Sequence, residues 1–309
     1  MAEISEVTNK SNKNKPKKSE KSPDTVSFVK IAWNEIYHDK IALVSLIIFT
    51  VIVLAVFISS LFIDEVKLQI VNIKIMNKPP SAEYWLGTEP SGRSVMKLLI
   101  IGAKNSLTVA FFVTFLSVGI GTLIGMIVGY FGGMLDNIIM RIVDFLTILP
   151  QLMLIIVMVS IIYNYSVTDF ILIMTFFAWP FEVRLIRSKA LQQSNLDYVS
   201  ASKTLGTSNF KIIFREIFPN LVSIIVVNLT LTLAGNIGME TGLTFLGFGL
   251  KFNTPSLGTL ISYAADLTNL SRRPWIWLPA ALFVLIMMLC INFVGQAINR
   301  AADAKQREV

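Results

Sequence analysis

Two acidic residues, Glu182 and Glu240, are the clearest candidates for a chemical role, because each borders a long apolar segment. Ionisable groups within such segments are costly and often mark a transport pathway. The simpler expectation, which also covers Arg184, is that these side chains end an apolar segment and reach water; a pathway function is the alternative. The apolar segments contain no series of Asp, Glu and His residues, so a proton relay lacks its components.

The sequence contains one histidine, His38, and one cysteine, Cys290. One cysteine cannot form an intramolecular disulfide, and the pair cannot supply a Cys/His zinc site of the usual spacing. No G-x-x-x-x-G-K-[ST] phosphate-binding loop is present. We therefore expect no catalytic residues, no metal site and no cofactor, with His38 as a polar surface residue and Cys290 as a small buried apolar one.

The composition identifies the environment of these residues. Of the 309 residues, 54% are hydrophobic and only 15% are charged, and the mean hydropathy is +0.65. One soluble domain cannot bury that much apolar surface, so the sequence predicts a membrane protein. The net charge of +7 comes from basic residues that flank apolar segments. This pattern indicates contact with anionic membrane lipid and no nucleic-acid binding.

A membrane-spanning helix needs about 20 largely uncharged residues. Five segments meet this length clearly, and a weaker one, residues 170–181, must extend to residue 186 to cross a bilayer. Pro150 should kink its helix or mark where the helix starts. The sequence thus predicts an all-α polytopic membrane protein with about six transmembrane helices. The five clear segments are 41–63, a part of 105–135, 145–168, 217–239 and 274–299.

The distribution of Lys and Arg predicts the orientation. The segments that share a side with the two termini carry 18 of the 27 basic residues. Positively charged segments resist translocation, so both termini are expected in the cytoplasm of a prokaryotic cell. The apolar segment near the N-terminus is too long for a signal-peptide core and lacks a nearby cleavage site, so it should remain in the protein.

Three parts of the chain differ in composition. Residues 1–25 are rich in Lys, Asn, Ser and Glu and are expected to be a disordered cytoplasmic tail. Residues 26–40 place Val29, Trp33, Ile36 and Tyr37 at helical spacing, which suits an amphipathic juxtamembrane helix on the inner leaflet or an ordinary start of the first span. Residues 41–309 form the expected transmembrane domain.

Small residues recur every fourth position in the second span, at Ser117, Gly121, Gly125, Gly129 and Gly133. Such a stripe lets another helix approach closely. We expect Gly121, Gly125 and Gly129 to be helix-packing positions inside the protein; the alternative is an interface with a partner subunit.

Residues 187–220 form a predicted cytoplasmic loop with two short helices. Ser194 and Asp197 resemble a capping box, and Gly206 should end the first helix with positive φ. Thr207 or Ser208 can cap a second helix over 209–218, and Pro219 then starts the next span. Phe210, Ile213, Phe214 and Ile217 form an apolar stripe on the second helix. The stripe is expected either to anchor the loop to the membrane or to dock a soluble partner.

This loop, DYVSASKTLGTSNFKIIFREIFPNL, resembles the EAA loop of ABC importer permeases, which docks the ATPase subunits. Ser200 and Ser202 replace the glutamate and the second alanine of the motif, whereas Gly206 and the Ile-Phe-Pro end at 217–219 agree with it. The resemblance implies one coupling surface. Its residues are Asp197, Ser200, Ala201, Ser202, Gly206, Phe210, Phe214, Arg215 and Pro219.

Three further segments resemble the C-type permease subunit of oligopeptide, dipeptide and nickel transporters. The first, YWLGTEPSGRS at 84–94, resembles an LGTDxxGRD segment. The second, GGMLDNIIMRIVDFLTILP at 132–150, resembles GGxxDxxxMRxxDxxxxxP. The third, TGLTFLGFGLKFNTPSLGT at 241–259, resembles GLSFLGLG followed by a Pro-rich turn. The four motifs stand in the family order.

The resemblance implies a type I ABC importer permease that forms half of a pathway and works by alternating access. Its implied partners are a homologous second permease, two ATPase subunits and an extracellular substrate-binding protein. Oligopeptides or dipeptides are the expected cargo. Nickel or a metal–chelator complex is the alternative within the family, and a proton-coupled secondary transporter is the alternative from another class. A membrane-bound signalling protein is a third possibility, but the chain lacks a cytoplasmic catalytic domain to report a signal.

Overall fold

The computed structural model describes residues 28–251 and 253–307, so the predicted disordered tail, 1–25, lies outside the described residues. Every regular segment in the described part is a helix. The one extended pairing there is an isolated antiparallel bridge between Thr88 and Ser94. The all-α prediction is therefore confirmed.

Thirteen α-helices follow one another in the described residues. A π-helical segment, Ile213–Ile217, joins α9 to α10, and short 3₁₀ turns lie at Ile73–Ile75 and Tyr263–Ala265. The helices are α1 (Phe28–His38), α2 (Lys40–Ser60), α3 (Glu65–Leu68), α4 (Val95–Phe131), α5 (Gly133–Ile148), α6 (Gln151–Ile161), α7 (Val167–Ser194), α8 (Asp197–Thr204), α9 (Asn209–Ile212), α10 (Phe218–Phe245), α11 (Leu257–Ser262), α12 (Leu267–Arg272) and α13 (Pro274–Arg307).

Six helical passes connect two ends of the bundle. At one end, called the terminal end, α1 contacts the last turns of α13, and Tyr130 Oη donates to Asn209 Oδ1 at 2.7 Å. At the other, called the far end, Lys251 Nζ donates to Asn164 Oδ1 at 2.9 Å. The passes are α2, α4, α5 with α6, α7, α10 and α13.

Four of these passes are long and apolar enough to cross a membrane, namely 40–60, 95–131, 209–245 and 274–303, and the α5–α6 pair makes a fifth. The remaining helix, α7, has 28 residues but includes Glu182, Arg184 and Arg187. It lies against α4 within the protein, which explains how a less apolar helix can occupy the bundle. About six transmembrane helices agrees with this arrangement.

The predicted span over 145–168 is broken at the proline, where the sequence predicts a kink or a helix start. The α5 and α6 helices meet at 82°, and the break lies at Leu149 and Pro150. Proline lacks an amide donor and disfavours helical geometry in the preceding residue, and Leu149 has ψ 137°. Pro150 thus marks the start of α6, as predicted, and only 151–161 continue as a helix toward the far end.

The small residues of α4 lie where α7 crosses it. A Cβ added to Gly121 would lie 2.2 Å from Glu182 Cβ, and one added to Gly125 would lie 2.9 Å from the Arg187 nitrogen. At Gly129 the added Cβ would lie 2.7 Å from the Arg187 carbonyl oxygen. The two backbones approach closely because no side chain separates them at these three glycines.

The α1 helix packs on the terminal half of α13. Ile36 is buried in a cluster with Ala297 and Ala301. Arg300 Nε donates to Glu35 Oε1 at 3.0 Å, and its second guanidinium nitrogen bonds Asp39. Of the predicted amphipathic stripe, Ile36 thus faces the protein, whereas Trp33 and Tyr37 are exposed.

A cap, defined as residues 61–94, 246–251 and 253–273, covers the far end. Glu89, which is fully buried, accepts hydrogen bonds from Arg93 Nε at 2.9 Å and from Tyr263 Oη at 2.9 Å. Gly92 has φ +76°, and an added Cβ would lie 2.0 Å from the Asn72 carbonyl oxygen. The LGTEPSGR segment is therefore a packed turn that joins the two parts of the cap.

The electrostatics of this cap follow from burial and pairing. Burial alone would raise the pKa of Glu89, but the Arg93 guanidinium and the Ser91 amide hold that pKa below its usual 4.5. Burial, together with the Glu89 charge, raises the pKa of Tyr263 to about 12. Glu89 and Arg93 are thus a charged pair at neutral pH, and Tyr263 keeps its proton and donates a hydrogen bond to Glu89.

Candidate functional site: an exposed terminal surface above buried carboxylates

The predicted loop 187–220 is largely helical. Its first residues continue α7 to Ser194, and α8 then begins at Asp197 after Leu196. The predicted capping box of Ser194 and Asp197 is wrong, because the Ser194 hydroxyl donates to the Leu191 carbonyl at 2.9 Å and no side chain caps α8. Gly206 has φ +79°, as predicted for the residue that ends this helix.

The second short helix and the next span are continuous. The α9 helix passes through the π segment into α10 without a break, and 209–245 together form one candidate membrane span. Pro219 lies in the first turn of α10, directly after the π segment, where the hydrogen-bonding register of the helix changes. The structure shows no break at the predicted boundary between residues 218 and 219.

The predicted apolar stripe divides into two faces. Ile213 and Ile217 are buried with Ile212 in a cluster with Met126 and Ile186 of the bundle. On the other face, Phe210 is 68% exposed and Phe214 is 43% exposed. Their rings stack with centroids 6.5 Å apart and an interplanar angle of 5°. The isoleucines fix the segment to the bundle, and the aromatic pair is left on the surface.

Polar contacts hold α8 to the same base. Ser202 Oγ donates to Glu216 Oε1 at 2.9 Å. Lys203 Nζ lies 4.6 Å from the centroid of the Tyr130 ring. The hydroxyl at position 202, where the EAA motif has alanine, thus supplies a direct bond between α8 and the π segment. The sequence alone offers no sign of this bond, since 14 residues separate the two side chains.

Most of the predicted coupling residues are exposed at the terminal end. Around Gly206 the surface is open: an added Cβ would meet no atom within 4 Å. Leu205 beside it is 85% exposed. Ser202 is the one half-buried member of the set. The exposed members are Asp197, Ser200, Ala201, Gly206, Phe210, Phe214, Arg215 and Pro219. We call these eight residues together with Leu205 the terminal surface.

The expectation that Glu182 and Glu240 reach water is wrong. Glu182 is buried midway along α7, where Thr232 Oγ1 donates to its Oε1 at 3.2 Å and the Asn228 amide donates to its Oε2. Glu240 is fully buried and accepts from Thr244 Oγ1 at 2.9 Å. The α7 and α10 helices extend beyond the predicted spans, so neither residue ends its helix. In the sequence, the burial of Glu182 could have been inferred from Asn228 and Thr232, two polar residues four positions apart on one face of α10.

Salt bridges tie α5 to α7 at the terminal end. Asp136 accepts from Arg187 Nε at 2.8 Å, and Asp144 accepts from Arg184 at 2.7 Å. Both aspartates belong to the GGxxDxxxMRxxD segment. Across the described residues, no cluster of His, Cys, Asp and Glu is arranged to hold a metal ion. Cys290 is buried, and His38 is exposed and contacts the Asn34 carbonyl at 2.8 Å.

Comparison with known proteins identifies matches to two family models in the chain. Residues 121–308 match the binding-protein-dependent transport system inner membrane component, and residues 27–80 match the N-terminal transmembrane domain of oligopeptide transport permease C. The first match covers more than half of the chain.

Individual relatives cover most of the chain. The oligopeptide transport system permease protein OppC of Lactococcus lactis subsp. cremoris is 48% identical over 228 residues, which are 74% of this chain and 78% of the relative. The dipeptide transport system permease protein DppC of Bacillus subtilis is 32% identical over 283 residues, 92% of this chain and 88% of the relative. The chain therefore belongs to the family of inner membrane components of binding-protein-dependent transport systems.

Proposed function

We propose that this chain is the C-type permease subunit of an ATP-driven peptide importer and forms half of the translocation pathway for oligopeptides or dipeptides. The relatives named above are oligopeptide and dipeptide permeases, which favours peptides over nickel or metal chelates. Membership in a binding-protein-dependent family favours ATP-driven transport over proton coupling. The chain itself has no phosphate-binding loop, so ATP hydrolysis belongs to separate subunits.

The assembly that we propose contains this chain, a homologous second permease, two ATPase subunits and an extracellular substrate-binding protein. Membrane lipid surrounds the transmembrane part, and no nucleic acid is involved. Both termini, and with them the terminal surface, face the cytoplasm. The excess of Lys and Arg at the terminal end supports this orientation.

The terminal surface is the element that we propose to dock one ATPase. The stacked Phe210–Phe214 pair carries the argument, because two exposed aromatic rings on a rigid base match the usual composition of an interface anchor. The buried isoleucines beneath them prevent the segment from moving alone. Closure of the ATPase dimer would then turn α9 and α10 as one body, and the pathway would change the side that it faces.

The first experiment replaces Phe214 with Asp. Phe214 is partly exposed, so insertion and folding should survive, whereas a charge without a partner in a buried interface costs several kcal/mol. We expect Phe214→Asp to remain in the membrane but to lose co-purification with the ATPases and stimulation of their activity. Lys211→Gln, on the exposed part of the same helix, should retain both. Normal assembly and transport by Phe214→Asp would refute docking through this surface.

The second experiment tests the orientation. Single cysteines at Ser208 and Ser81, in a Cys290→Ala background, should differ in their labelling in intact cells. An impermeant thiol reagent should label position 81 from outside and should label position 208 only after the cells are opened. External labelling at position 208 would contradict the proposed orientation.

A further inference from the structure

A polar crevice opens at the terminal end between α7, α10 and α13. Its volume is about 240 Å³. Lys189, Asp303 and the exposed Asn299 line it toward the ends of their helices, and the half-buried Asn228 lines it farther into the bundle. The remaining wall is apolar and includes Val227 and Leu231 of α10.

The charged groups at this crevice have opposite signs and are not engaged with each other. No salt bridge within the described side chains involves Lys189 or Asp303. Lys189 is half-buried and Asp303 is exposed. A cation and an anion on either side of one crevice match a ligand that carries both a carboxylate and an ammonium group.

The deeper part of the crevice favours a ligand rich in hydrogen-bonding groups. Asn228 is ten residues into α10, roughly 15 Å from its first turn. Its amide nitrogen donates to the buried Glu182, which fixes the orientation of the side chain. A lipid acyl chain would place hydrocarbon against the half-buried polar side chains of Lys189 and Asn228, at a cost in free energy. A peptide main chain offers them both donors and acceptors.

The geometry points to this crevice as the cytoplasmic-side subsite of the peptide pathway, with Lys189 facing the peptide carboxylate and Asp303 the peptide ammonium group. This inference rests on the proposed function and adds the residues that contact the cargo. The volume is smaller than that of a typical closed ligand pocket, about 300–1,000 Å³, so it suits a section of peptide in transit. The apolar wall would accept side chains without selecting among them.

The test compares blocked and unblocked peptides in the complete transporter, reconstituted with its partner subunits in liposomes. Uptake of trialanine and of trialanine amide is measured for the unmodified chain and for Lys189→Gln. For each chain the uptake of trialanine is divided by the uptake of trialanine amide. The substrate-binding protein is the same in both cases, so its own preference cancels when the ratio for the variant is divided by the ratio for the unmodified chain. We expect Lys189→Gln to reduce the preference for the free carboxylate about threefold, the scale of a partly exposed ion pair.

Asp303→Asn provides the second arm, with trialanine and its N-acetyl form, and should reduce the preference for the free amine by a similar factor. Lys74→Gln, an exposed residue of the far end, is the matched control and should leave both preferences unchanged. Unchanged preferences in both variants, with normal peptide uptake, would overturn the subsite and leave the proposed function intact. A phospholipid that co-purifies with the unmodified chain but not with Lys189→Gln, at unchanged preferences, would also overturn it. Failure of the unmodified complex to take up any peptide would instead refute the proposed function.

Discussion

The two ends of this bundle are built differently. The far-end cap combines irregular chain with short helices around a buried charged pair, with Glu89, Arg93 and Tyr263 at its centre. The terminal surface consists mostly of helix and exposes Leu205, Phe210 and Phe214. The cap thus has a buried charged centre, whereas the residues of the terminal surface lie in solvent.

This difference predicts where substitutions cost stability. Hydrogen bonds also join the cap to α4: the Asn105 amide donates to the Pro255 carbonyl at 2.8 Å, and the Leu257 amide donates to Ser106 Oγ at 3.1 Å. Both ends expose apolar side chains, among them Phe62 and Trp85 in the cap and Phe210 and Phe214 in the terminal surface. The buried charged pair therefore distinguishes the cap, and we expect its loss to be the most destabilising change at either end.

The largest effect is expected from Glu89→Ala, which leaves Arg93 half-buried without its carboxylate. Removing one partner of a buried ion pair costs about 3–5 kcal/mol. We expect a large loss of purified protein and a markedly lower melting temperature in detergent. Glu83→Ala, an exposed residue of the same cap, should melt like the unmodified protein. Equal melting temperatures for all three proteins would show that the charged pair does not stabilise the cap.

A smaller effect is expected between the two ends, where α4 crosses α7. The Cβ of Gly121→Val would overlap Glu182 Cβ, since 2.2 Å separates the two positions, and overpacking costs about 1–3 kcal/mol. The variant should melt at a lower temperature and should also impair coupling, because α7 would be displaced. Gly119→Val is the matched control, as no atom lies within 4 Å of its added Cβ. If both variants behave alike, the close approach is unimportant.

The smallest effect on stability is expected at the terminal surface, with Gly206→Val. There is space for the side chain, so the cost comes from φ +79° alone and is about 1 kcal/mol. We expect near-normal melting but partial loss of ATPase stimulation, because the angle between α8 and α9 changes. Gly206→Asn, which tolerates positive φ better, should recover much of the stimulation. A loss of melting temperature as large as that of Glu89→Ala would contradict the contrast between the two ends.

Local rules predicted those features that depend on neighbouring residues. Hydropathy located the apolar segments, Pro150 located the break before α6, and Gly206 has the positive φ that its position after α8 requires. Each depends on backbone chemistry or on the bilayer thickness, which act on a short stretch of chain. The family motifs could also be recognised from the sequence, because each one is a continuous stretch of the chain.

The features that the sequence did not specify depend on contacts between distant segments. The 82° angle between α5 and α6 follows from no local rule, the buried Glu182 accepts hydrogen bonds from Asn228 and Thr232 of another helix, and the Ser202–Glu216 bond joins two elements. The sequence by itself determined that the chain is helical, membrane-embedded and a member of a permease family. Only the tertiary structure decided which side chains are buried, because burial depends on which helix covers each face, and hydrophobic periodicity alone does not identify that neighbour.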